Sequence, residues 1–88
     1  MHNNRAWHQE IMLLQQTANR MQRGTDRTHI GTTIRNPDID FAKLAESMGV
    51  YGQGPVTDPK DLNAALKRAV ARVKAGEPAL IDVICQGR

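Results

Sequence analysis

Residues Ala79-Leu80-Ile81-Asp82-Val83-Ile84-Cys85 form a nearly unbroken apolar, β-branched run, and they follow a helix whose two ends are both marked in the sequence. Such a run predicts a strand covered on both faces, because a strand with one wet face alternates polar and apolar residues. A doubly covered strand needs neighbouring strands and helices over both sides, so this feature commits the chain to an α/β arrangement. The preceding helix is punctuated by Asp58 as cap, Pro59 at the first helical position, and Gly76 then Pro78 beyond its end. Leu62, Ala65, Leu66, Ala69, Val70 and Val73 make its apolar stripe. Lys67, Arg68, Arg72 and Lys74 point mostly away from that stripe, on a face that reads as solvated.

The remaining elements are shorter. Asp40 caps a brief helix whose buried side is Phe41, Leu44, Ala45 and Met48, and Gly49 stands where a left-handed terminator is expected. An extended piece around Val50 and Tyr51, interrupted by Gly52, Gly54 and Pro55, is a strand or its remnant. At the amino end, Trp7, Ile11, Leu14, Ala18 and Met21 share one face of a helix running from about Ala6 to Arg20. That face must be covered by something. Thr25 to Pro37 is a long polar segment without a period, of the kind that is functional or disordered in compact domains. The expected fold is α/β: an incomplete doubly wound sheet with about three helices, one clear C-terminal strand and one or two short strands. Neighbours for the C-terminal strand are in short supply, so either another chain completes the sheet or a smaller sheet forms from what remains.

Eighty-eight residues make one small domain, residues 1–88, of a size that buries only about 60% of its unfolded surface. Hydrophobic residues at 40% and charged residues at 24% place it among globular chains. No run approaches the roughly 20 apolar residues of a membrane span, and the polar start does not read as a signal peptide. The lone Cys85 excludes an internal disulfide and fits a reducing cytoplasm, and its place in an apolar strand reads as an inert buried thiol. The net charge of +3 is unevenly spread: residues 1–35 carry five Arg against Glu10 and Asp26, while residues 36–88 balance seven basic against seven acidic. The basic excess suits a phosphate-bearing ligand more than nucleic acid, since Trp7, Phe41 and Tyr51 are too few to build stacking platforms.

The amino-terminal run His2-Asn3-Asn4-Arg5-Ala6-Trp7 stands directly before the first helix. Magnesium takes oxygen ligands in near-octahedral geometry, keeps some waters, and is held through few protein oxygens plus phosphate oxygens. An asparagine side-chain oxygen and a nearby backbone carbonyl meet that demand. The helix start beside them offers unpaired N–H groups and a positive dipole end to an anion. On spacing alone, an Asn-Asn pair more often marks a turn or a helix cap.

The ordered set of Asn3-Asn4, amphipathic helix, loop, Asp40-Phe41-Ala42-Lys43-Leu44-Ala45-Glu46-Ser47-Met48-Gly49, Asp58-Pro59-Lys60-Asp61-Leu62 and Glu77-Pro78-Ala79-Leu80-Ile81-Asp82-Val83 resembles the C-terminal end of thiamine-diphosphate-dependent enzymes of the acetolactate synthase and pyruvate decarboxylase superfamily. It covers practically the whole chain. The resemblance implies a doubly wound cofactor-binding domain with thiamine diphosphate and Mg2+ as cofactors. It makes Asn4 the side-chain magnesium ligand and Ala6 the backbone-carbonyl ligand, with Asn3 in the adjoining turn and Asn3, Asn4, Ala6 and Trp7 as the cofactor-binding set. The family's Gly-Asp-Gly motif, which supplies the aspartate ligand, is not among these residues.

Glu10 stands six residues after Asn4, the offset at which the pyruvate decarboxylase branch has a proton-transfer glutamate, and it is the candidate catalytic residue; its other reading is an exposed carboxylate favoured by the helix dipole. Trp7 falls where the family often has an aromatic or glycine near the cofactor, although its spacing also makes it the first core residue of the helix. His8 and His29 are candidates for proton transfer or substrate carboxylate binding, against the alternative of scattered surface histidines. Neither they nor any Cys or carboxylate set has zinc-like spacing. By the same resemblance, Gly31-Thr32-Thr33 lies over the cofactor mouth of the complete enzyme, although its polar composition equally suits an ordinary loop.

The chain has Ala6-Trp7-His8-Gln9-Glu10-Ile11 where acetolactate synthases have a Gly-Met-Val-x-Gln-Trp-like stretch, so the implied activity is that of a 2-keto acid decarboxylase or carboligase. The cofactor would carry the hard chemistry as an electron sink. Family active sites form between two subunits and use a glutamate from a separate domain. The expected partners are therefore thiamine diphosphate, a 2-keto acid, and a second copy or a missing amino-terminal portion, and the chain reads as a truncated piece that does not turn over alone. Two further readings stand beside this: a small standalone interaction module derived from the fold, and a weak nucleic-acid binder using Arg20, Arg23, Arg27 and Arg35.

Overall fold

In the computed structural model, which describes residues 1–86, the elements run β1 (His2–Asn3), α1 (His8–Arg20), α2 (Phe41–Ser47), β2 (Tyr51–Val56), α3 (Pro59–Lys74) and β3 (Ala79–Ile84). The three strands form one parallel sheet in the order β1-β3-β2. Three helices and an open parallel sheet of three strands make the α/β, incomplete doubly wound class expected from sequence. The chain sorts into two compact units, one of Met1–Asn3 with Asp40–Cys85, the other of Asn4–Ile39 with Gln86.

In the first unit the apolar run becomes the central strand and finds its neighbours within the chain. β2 pairs with it from Tyr51↔Ala79 to Val56↔Val83, with a register shift between Gln53 and Val56. Gly54 and Pro55 fall inside that irregularity, on an edge strand, where a residue without an N–H is tolerated. β2 is therefore longer than Val50 and Tyr51. On the other side, β1 is only two residues long, held by the Val83 N–H donating to the Met1 carbonyl at 3.0 Å and the Cys85 N–H to the Asn3 carbonyl at 2.9 Å. Two residues carry no periodicity, so this strand is not legible in the sequence, where the resemblance puts Asn3 in a turn.

Both helices of this unit start where their caps predict. The Asp40 carboxylate accepts the Lys43 N–H at 2.9 Å and the Asp58 carboxylate the Lys60 N–H at 2.9 Å, each satisfying a first-turn donor. Gly49 and Gly76 end the helices at φ 78° and 86°. α2 buries Ala42 and Ala45, while Leu44 and Met48, expected on its buried side, are exposed. Its small residues permit close approach: a Cβ on buried Gly52 of β2 would overlap the Ala42 carbonyl oxygen. α3 sets Ala65 against Val56 and Ile81, with Leu62, Ala69 and Val83 around them. Leu66, Val70 and Val73, the other flank of the predicted stripe, are exposed. Residues alternate across a strand, so with Ile81 turned to α3, Asp82 is turned to the opposite face.

In the second unit α1 begins at His8, two residues later than the periodicity suggests, because Ala6 is taken into an antiparallel bridge with Thr33. None of its residues is buried. Of the face predicted to be covered, Ile11 and Ala18 are half-buried, while Trp7, Leu14 and Met21 are 60%, 44% and 63% exposed. Trp7 is thus not a core residue of this chain. The polar segment after α1 is a succession of turns held by hydroxyl-to-carbonyl bonds, from Thr28 to Thr25 at 2.8 Å, Thr32 to Thr28 at 3.1 Å and Thr33 to His29 at 3.1 Å.

Candidate functional site

The Asn4-Arg5-Ala6 segment is a tight turn. Arg5 adopts φ 55°, and the Asn4 side-chain oxygen accepts the Ala6 N–H at 3.1 Å, an arrangement that short polar side chains favour in turns. The threonine-rich segment straps this turn in place: the Trp7 N–H donates to the Thr32 carbonyl at 2.7 Å and the Ile34 N–H to the Arg5 carbonyl at 2.9 Å. The Arg5 guanidinium pairs with Asp38 at 3.0 Å, which compensates the one formal charge in the turn. The Ala6 carbonyl takes none of these bonds, and an amide oxygen with one bond keeps a second lone pair. Asn4 and Ala6, which carry one side-chain oxygen and one peptide oxygen, thus stand two residues apart in a half-buried, nearly neutral turn.

α1 follows at once. Its N-cap is Trp7, which offers no side-chain acceptor, and among the described residues no side chain caps its first-turn N–H groups. Thirteen residues of aligned peptides place the positive end of the dipole there. Glu10 lies in that first turn and is exposed, His8 is half-buried and His29 exposed. Among the described residues no three His, Cys, Asp or Glu side chains gather as a metal-binding group. The Asn4 and Ala6 oxygens fit a hard cation that draws its other ligands from water and phosphate, and they do not fit one that needs an all-protein cage.

In the first unit, Asn3 is 6% exposed and its side-chain N–H donates to a carboxylate oxygen of Asp82 at 3.3 Å. Asp82, in the middle of β3, is fully buried. Sequence reasoning treated Asp82 as part of an apolar run and missed it as a site residue. The available signal was the residue type itself: one acid inside a strand covered on both faces needs a partner. Elsewhere in this unit a concavity of about 420 Å³ is lined by Glu46, Tyr51, Arg72 and Glu77, but its guanidinium is already engaged, 3.0 Å from Glu77 and 4.9 Å from the centre of the Tyr51 ring.

The family described as thiamine pyrophosphate enzyme, C-terminal TPP binding domain, matches the chain over residues 1–83. The chain belongs to that family. No solved structure gives a significant match. The match takes in every described helix of this TPP-binding domain, the Asn3-Asn4 pair and all but the last residue of β3. Thiamine pyrophosphate, the same compound as thiamine diphosphate, is the cofactor that membership implies. No helix of the described residues in this TPP-binding domain is long and apolar enough to cross a membrane.

Proposed function

We propose that the chain, residues 1–88, acts as the C-terminal part of a thiamine-diphosphate-binding domain in a cytoplasmic 2-keto acid decarboxylase or carboligase, contributing part of a magnesium-diphosphate site and not turning over substrate alone. One observation carries this reading: the Asn4 side-chain oxygen closes the Asn4-Arg5-Ala6 turn immediately before a helix whose amino end no described side chain caps. Asn4 would give its side-chain oxygen and Ala6 its peptide oxygen to magnesium, and the first N–H groups of α1 would receive diphosphate oxygens. Trp7 offers an exposed indole to the cofactor, and Glu10 an exposed carboxylate for proton transfer once further polypeptide covers it. Asn3 is assigned to cofactor contact on the family resemblance. Bound thiamine diphosphate supplies the electron sink, while the protein's part is position and electrostatics. Both ligands in the turn are neutral, so an anionic ligand, the substrate pocket and the second subunit belong to other polypeptide in this reading.

Calorimetric titration with thiamine diphosphate, with and without magnesium, tests it. The expected result is a weak, magnesium-dependent heat that Asn4→Ala abolishes. Silence in both titrations would favour the second reading, an interaction module, for which the exposed Trp7, Leu13, Leu14 and Met21 of the α1 segment speak.

A further inference from the structure

Asn3 and Asp82 are the buried polar residues of the described chain, and each is the other's partner. β1 and β3 pair in the register Asn3↔Ile84, so Asp82, two residues before Ile84, lies diagonally beside Asn3 on the same face of the sheet. Room for Asp82 is made on the other side by Gly54, at φ 148°, where a Cβ would stand 2.8 Å from the Asp82 Cβ and 2.6 Å from its carbonyl oxygen. The arrangement is costly. Asp82 Oδ1 is buried and makes no hydrogen bond among the described residues, and a half-satisfied buried acceptor is destabilising. An apolar residue like its neighbours Ile81 and Val83 would escape that cost, so packing alone gives no reason for an acid here.

We propose that Asp82 is a positioning residue that clamps the Asn3 carboxamide at the carboxyl end of β1. The Asp82 oxygen accepts from the Asn3 side-chain NH2, so Asp82 holds the nitrogen end of the Asn3 amide and turns its oxygen end away. In open α/β sheets ligands sit beyond the carboxyl ends of strands, which is where β1 delivers Asn3. That the clamp serves cofactor binding rests on the function proposed above; that it orients Asn3 does not.

Hydrogen exchange of side-chain amides in the 15N-labelled full chain tests the clamp. The Asn3 side-chain NH2 should exchange at least about tenfold more slowly than those of exposed Asn19 and Asn63, as one retained hydrogen bond requires. Asp82→Ala should abolish the difference and Asp82→Asn, which keeps an acceptor, should restore it. Asp82→Leu serves where the alanine variant does not fold. Asn3 exchanging like Asn19 in the folded wild type, or staying protected in folded Asp82→Ala or Asp82→Leu, would overturn the clamp. The same samples titrated with magnesium and thiamine diphosphate separate the two claims. Silence in the wild type with Asn3 protected removes the cofactor reading and supports the clamp, whereas a wild-type heat unchanged in folded Asp82→Ala keeps the cofactor reading and overturns the positioning role.

Discussion

A single absent carbon sets the spacing between α2 and the sheet. Gly52 faces the Ala42 backbone so closely that any Cβ would overlap the carbonyl oxygen, and both neighbours are backbone held in regular elements. Gly52→Ala should therefore destabilise the chain by roughly 1–3 kcal/mol, as overpacked cores do, and urea unfolding followed by circular dichroism measures it. A null effect would show that α2 does not pack on β2 as described. Residue identities hinted at little of this. A glycine inside an interrupted extended piece suggests a bend, whereas its actual work is a close approach that depends on where α2 lands. Asp82 is the parallel case: its type was visible, but its partner lies 79 positions away in sequence.

At the element scale the caps govern. The Asp40 carboxyl is held below its usual value of 3.8, mainly because it accepts the Lys43 N–H, and the Lys43 ammonium 3.3 Å away adds to this. A carboxyl depressed in the folded state contributes stability that is present above the unfolded value and lost as pH falls through the folded one. The urea midpoint should thus drop as pH is lowered from neutrality through the region just below 3.8, and Asp40→Asn should flatten that part of the drop. Asp58→Ala should cost about 1 kcal/mol at neutral pH, read from the same melts. α1 offers the converse. Trp7→Asp would supply the cap that the helix lacks, so it should raise stability by roughly 0.5–1 kcal/mol while its carboxylate competes with diphosphate and removes the magnesium-dependent heat. These elements were readable in the sequence, because caps, stop glycines and apolar periods act over four or five residues. β1 and the late start of α1 were not, since both are made by pairing with distant segments.

For the molecule as a whole, the notable property is uncovered apolar surface in each unit. On α3, Leu66, Val70 and Val73 recur at helical spacing and are 49%, 52% and 60% exposed, and in the other unit Leu13 and Met21 exceed 60%. Leu66→Lys should change stability by no more than about 0.5 kcal/mol while reducing dye binding to apolar surface and concentration-dependent association, checked by thermal melts, dye fluorescence and sedimentation. A loss of several kcal/mol would mean that the stripe is covered after all. By itself the sequence determined the class of fold, the three helices and the central strand, because propensity, capping and hydrophobic period are local, and its ordered motifs carried the resemblance to the family. Only the tertiary structure decided that the central strand finds both its neighbours within these residues, that one flank of the α3 stripe is used, and that Asn3 meets Asp82. Those depend on which distant surfaces close together, and no local pattern encodes that.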